Sequence, residues 1–69
     1  MKFNLKTIRQ ERKLTQEELS NRSGVGRVTI SRLETGELKE TTAGTLTKLA
    51  HALDVSIDKL VEVEENFLD

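Results

Sequence analysis

Apolar residues recur three and four positions apart along this chain, in five short bursts separated by helix punctuation. In the first burst Leu5 and Ile8 share a helical face, Arg12 follows seven positions after Leu5, and Arg9 lies beside them. This spacing turns at least one of the two arginines inward and leaves both as candidates. Asn4 suits the N-cap of that helix, and Phe3 before it is placed to staple against Ile8. The second burst opens with "TQEE" at 15 to 18, a capping box in which Thr15 accepts from a first-turn backbone N–H and Glu18 reaches back to the cap. Its helix carries Leu19 inward and stops at Gly24, a residue suited to a left-handed C-terminal position.

The third burst is ambiguous at first reading. Val28, Thr29 and Ile30 are consecutive β-branched residues, which by propensity alone belong in a strand. A strand would place Val28, Ile30 and Arg32 on one face and mix apolar with charged side chains. With Gly26 as N-cap, a helix instead gathers Ile30, Leu33 and Glu34 within about 100° and leaves Val28, Ser31, Arg32 and Thr35 on the other side. The helix segregates better, so a helix is expected. Thr42 then caps a fourth helix whose Leu46, Leu49, Ala50 and Leu53 form an apolar stripe expected to be core. Ser56 caps a last short helix bearing Ile57, Leu60 and Val61.

Composition narrows the function classes. Sixty-nine residues make one small domain, a size that buries only about 60% of the surface its unfolded chain exposes. There is no cysteine for a disulfide and only one histidine, His51, so no metal site and no cofactor is expected. No signal-peptide apolar region and no membrane-length run is present, which reads as a cytoplasmic protein with no membrane partner. His51 falls away from the Leu46 and Leu53 stripe without an accompanying acid, base or nucleophile, so the chain is not expected to be an enzyme.

The net charge of -1 conceals an asymmetry. Residues 1 to 32 carry eight basic and three acidic side chains, a balance of +5, whereas residues 33 to 69 carry three basic and nine acidic ones, a balance of -6. Charges are screened over about 8 Å, so the basic half can serve as a footprint for a polyanion that the acidic half does not cancel.

Two helices joined by a short glycine-containing turn, the second with arginine on its solvent face, form a helix-turn-helix layout. "LTQEELSNRSGVGRVTISRLETG", followed by "TLTKLAHALDVSIDKL", resembles the Xre or lambda-repressor/Cro-like helix-turn-helix family across residues 5 to about 61. The resemblance implies an all-α, compact five-helix bundle over residues 1 to 61, with residues 62 to 69 as an acidic C-terminal tail. It also implies that the third helix enters the major groove of double-stranded DNA. Arg27, Val28 and Arg32 match the positions that touch base edges; arginine suits guanine O6 and N7, and valine suits a thymine methyl. Gln16, Thr29, Ser31, Lys39, Thr42 and Thr45 match backbone-contacting places, with Lys39 and Thr42 displaced by a linker one residue longer than usual. Between the two inward candidates the resemblance chooses Arg9, as an ion pair with Glu34. Four further departures stand out: Gly26 replaces a polar N-cap, Ser20 stands where alanine is frequent and needs a partner if buried, Thr41 takes the place of a frequent proline, and Asp54 replaces a glycine after the fourth helix.

The function implied is a sequence-specific transcriptional regulator, a repressor binding a palindromic operator as a homodimer. Val61, Val63, Phe67 and Leu68 are the candidate dimer interface. The alternative is an antitoxin of a toxin-antitoxin pair that also regulates its own operon, its partner a toxin or another regulatory protein.

Overall fold

In the computed structural model, which describes residues 2 to 62, a two-residue strand β1 (Lys2–Phe3) leads into five helices. These are α1 (Leu5–Glu11), α2 (Gln16–Ser23), α3 (Arg27–Thr35), α4 (Ala43–Leu53) and α5 (Ile57–Leu60), and a second strand β2 (Val61–Glu62) follows. The fold is all-α apart from this strand pair, which runs antiparallel with Lys2 opposite Glu62 and Phe3 opposite Val61. The periodicity did not suggest the pair, because two residues are too few to display an alternation.

Local chemistry sets four of the helix ends. Thr15 Oγ1 accepts the Glu18 N–H at 3.0 Å while Glu18 Oε1 accepts the Thr15 N–H at 2.9 Å, completing the capping box. Thr42 Oγ1 accepts the Thr45 N–H at 3.1 Å at the start of α4. Gly24 and Gly36 close α2 and α3 at φ +77° and +86°, the left-handed region in which a side chain is strained.

Two caps are used differently from expectation. Asn4 and Ser56 occupy N-cap positions, but neither side chain bonds to its helix. The Asn4 N–H instead donates to the Leu60 carbonyl at 2.9 Å, and Asn4 Nδ2 to the Lys59 carbonyl at 3.3 Å. The last carbonyls of α5 have no partner within their own helix, so Asn4 ties the start of α1 to the end of α5.

The core contains Leu5, Leu19, Ile30, Leu33, Leu49, Ala50, Leu53 and Leu60 from all five helices, with Leu14 and Val25 from two connections. Helices of seven to nine residues such as α1, α2 and α3 are marginal in isolation, so shared burial holds them. Leu19 and Ile30 are fully buried, and each contributes about 1.5 to 3 kcal/mol. Two apolar residues lie at the edge of the core, the first of them against expectation. Leu46, the first of the α4 stripe, is only half-buried, and Ile57 at the start of α5 is exposed. Each lies one turn before the nearest core residue on its helix, Leu49 and Leu60, beyond the edge of the core. Val61 is half-buried against that core and joins the strand pair, whereas Val63, Phe67 and Leu68 lie outside the described residues.

Candidate nucleic-acid interface

The α2–α3 connection consists of Gly24, Val25 and Gly26, and each residue of it is constrained. Gly24 turns the chain, and its N–H donates to the Ser20 carbonyl at 2.9 Å. Val25 is buried; its N–H donates to Ser23 Oγ at 3.1 Å, and its carbonyl accepts from Ser20 Oγ at 2.7 Å. Ser20 thus has the partner that its half-buried position requires. Gly26 caps α3 without any side-chain bond, at a cost of only a few tenths of a kcal/mol relative to serine. A side-chain anchor in the core and two hydroxyl bonds therefore set the angle between α2 and α3.

Beneath α3, three helices converge on one carboxylate. Glu34 Oε2 accepts from Arg9 Nε at 2.7 Å, and Oε1 accepts from Arg9 Nη2 at 3.0 Å and from Gln16 Nε2 at 3.1 Å. Arg9 Nη1 donates to the Leu14 carbonyl at 2.7 Å, tying in the α1–α2 connection. The Arg9 and Glu34 side chains are 11% and 3% exposed, so the bidentate pair works largely out of water. Its hydrogen bonds to Glu34 hold the Arg9 guanidinium above its ordinary pKa, against the opposing effect of burial. Arg12, the other inward candidate, also has a structural partner: its Nε donates to the Leu53 carbonyl at 2.9 Å, joining α1 to the end of α4.

On the opposite side of α3 the picture reverses. Arg27 and Arg32 are exposed, and Val28 is 62% exposed, the most exposed large apolar residue described. Thr29 and Ser31 flank them half-buried. Lys39 and Thr42 are exposed, and Thr45 is half-buried, its hydroxyl 3.0 Å from that of Thr42. Gln16 is half-buried and serves α2 and α3 together through its bond to Glu34.

Two features of this region had no clear sequence signal. Lys13, in the α1–α2 connection, adopts φ +57°, and Arg32 Nε lies 3.5 Å from Glu37 Oε2 across the left-handed Gly36. A neighbour five positions on, past a helix stop, falls outside any helical spacing rule. Among the described residues no group of three or more His, Cys, Asp or Glu side chains could hold a metal ion, and no helix is long and apolar enough to cross a membrane.

The family model described as helix-turn-helix matches residues 5 to 60. The uncharacterized HTH-type transcriptional regulator YqaE of Bacillus subtilis (strain 168) is 36% identical over 63 residues, covering 91% of this chain and 53% of that protein. The HTH-type transcriptional repressor RghR of the same strain is 40% identical over 57 residues, covering 83% of this chain and 42% of its own length. The chain therefore spans about half the length of the curated relatives it matches. Among solved structures, the N-terminal DNA binding domain of SinR from Bacillus subtilis superposes with a TM-score of 0.82 at 26% identity, covering 90% of each chain. A chain from the SinR protein/SinI protein complex superposes with a TM-score of 0.82 at 27% identity, covering 96% of this chain and 64% of that one.

Proposed function

This chain belongs to the helix-turn-helix family, and on that premise we propose that it is a sequence-specific double-stranded DNA-binding regulator of transcription. In this reading it is a repressor that binds a palindromic operator as a homodimer, with α3 in the major groove. The observation that carries the reading is the exposure of Arg27, Val28 and Arg32 on a helix whose other face is anchored by Arg9, Gln16 and Glu34. An exposed valine between solvent-facing arginines contributes little to stability, and the same three side chains have the donors and the methyl groups that base edges require.

Phosphate contacts would position this helix without specifying sequence. Gln16 can serve in both capacities, since its amide has two N–H donors and Glu34 takes only one. Thr29 and Ser31 flank the reading face, and Lys39 adds a positive charge. At the start of α4 the Thr42 hydroxyl is already engaged with Thr45. That helix therefore offers a phosphate its remaining first-turn N–H groups and positive dipole end more than the Thr42 side chain itself.

A single helix-turn-helix unit reads too few base pairs for genomic specificity, which favours two copies on half-sites about one helical turn apart. Since Val61 is half-buried against its own core, the proposed dimer surface relies mainly on Val63, Phe67 and Leu68. One finding favours a second reading, an antitoxin or other partner-binding regulator: a solved relative of this fold comes from a complex of two different proteins.

Selection of bound duplexes from a random DNA pool at near-physiological salt separates these readings, because nonspecific binding weakens steeply there. A palindrome with a guanine in each half-site is the expected result. No enrichment from folded protein would overturn the DNA-reading proposal and direct attention to the partner-binding reading.

A further inference from the structure

We infer that Glu37 is a positioning residue for base recognition by Arg32, an inference that rests on the reading of α3 given above. Glu37 Oε2 lies 3.5 Å from Arg32 Nε, at the side edge of the guanidinium. A carboxylate at Nε leaves the two terminal nitrogens, Nη1 and Nη2, for bidentate donation to guanine O6 and N7. Drawn toward Glu37 at that edge, the arginine keeps its terminal nitrogens free to donate.

The backbone keeps Glu37 in that place. Gly36 reverses the chain at φ +86°, and the Leu38 N–H then donates to the Arg32 carbonyl at 3.0 Å. Thr35 Oγ1 donates to the same carbonyl at 3.3 Å and accepts the Glu37 N–H at 3.4 Å. Leu38 packs against the core and anchors the far side of the turn. Residue 37 is thus pinned beside the turn of α3 that carries Arg32, and only its side chain remains to be ordered.

An ion pair with side chains 54% and 66% exposed contributes little to folding. Its consequence lies in recognition. A long side chain already restrained near its bound orientation loses less freedom on binding, and the restraint acts only where Arg32 reads. Glu37 therefore sharpens discrimination at one base pair. A carboxylate acting merely by repelling phosphates would change affinity equally for every sequence.

The test measures the affinity of the full chain and its Glu37→Ala, Arg32→Ala and doubly substituted variants. The duplexes are the selected operator and versions altered one base pair at a time. Circular dichroism verifies that each variant is folded. Glu37→Ala is expected to reduce discrimination at a single base pair, the one lost in Arg32→Ala, by up to about 5-fold. Preferences elsewhere should be unchanged, and Glu37→Ala should have no further effect once Arg32 is absent. An equal change on all duplexes, with or without Arg32, would show a charge effect and overturn the inference. If Arg32→Ala alters one base preference and Glu37→Ala does not, only the role of Glu37 falls. If Arg32→Ala alters none, the reading of α3 falls with it.

Discussion

On its inner face α3 presents Ile30 and Leu33, 0% and 2% exposed, together with a glutamate held by an arginine from α1 and a glutamine from α2. On its outer face Arg27, Val28 and Arg32 stand in solvent, and the closest restraint on Arg32 is a 3.5 Å approach to Glu37. The same nine residues thus divide into a side that decides where the helix sits and a side free to meet something else. Polar groups occur on both faces with opposite consequences. Buried, they are bonded to one another and fix an orientation; exposed, they keep donors available.

Substitutions that blur this division should have effects ordered by burial. Glu34→Ala should have the largest, about 3 to 5 kcal/mol of stability, because it leaves the Arg9 guanidinium without its counter-ion in a mostly dry site. Thermal unfolding checks this, and an unchanged midpoint would mean that α3 is held by apolar packing alone. Arg32→Ala should leave the midpoint nearly unchanged and weaken operator binding by about 1 to 3 kcal/mol, with preference relaxed at one guanine. Titration against the operator and a nonspecific duplex distinguishes the outcomes, since equal weakening on both would assign Arg32 to phosphate.

The smaller effects concern backbone conformation. Lys13 occupies the left-handed region at φ +57°, next to Leu14, whose carbonyl receives Arg9. Lys13→Gly should therefore stabilise the anchored side by about 0.5 to 1 kcal/mol, the relief of strain exceeding the added unfolded-state entropy. A lower melting temperature would contradict that balance. Gly26→Ser should stabilise α3 by a few tenths of a kcal/mol. Gly26 has φ -59° and ψ 142°, and nothing lies within 4 Å of the place a Cβ would occupy. Denaturant unfolding resolves that gain; a loss would mean the new hydroxyl fails to reach a first-turn N–H.

Legibility in the sequence followed the range of the interaction. The capping box at Thr15 and Glu18, the glycine stop at 24, and the helical character of Val28 to Ile30 were each readable from a few neighbouring residues. So was the division of α3 into two faces. Periodicity turned Arg9 or Arg12 inward but had no means to choose between them. The structure uses both, Arg9 toward Glu34 and Arg12 toward the Leu53 carbonyl. Asn4 read as an ordinary cap because the carbonyls that claim it belong to residues 59 and 60. Leu46 read as core because the α4 stripe by itself gives no sign of where the core ends.

By itself, then, the sequence determined where the helices start, where α2 stops and which side of each is apolar. Those properties come from bonds and steric preferences within about one helical turn. Tertiary structure alone decided which carbonyl takes up Arg12, that β1 pairs with β2 through Phe3 and Val61, and that residue 37 comes to rest beside Arg32. Buried charges require partners, and orphan carbonyls require donors. Where several candidates along the chain can satisfy such a demand, the choice depends on which of them the packed helices bring within reach.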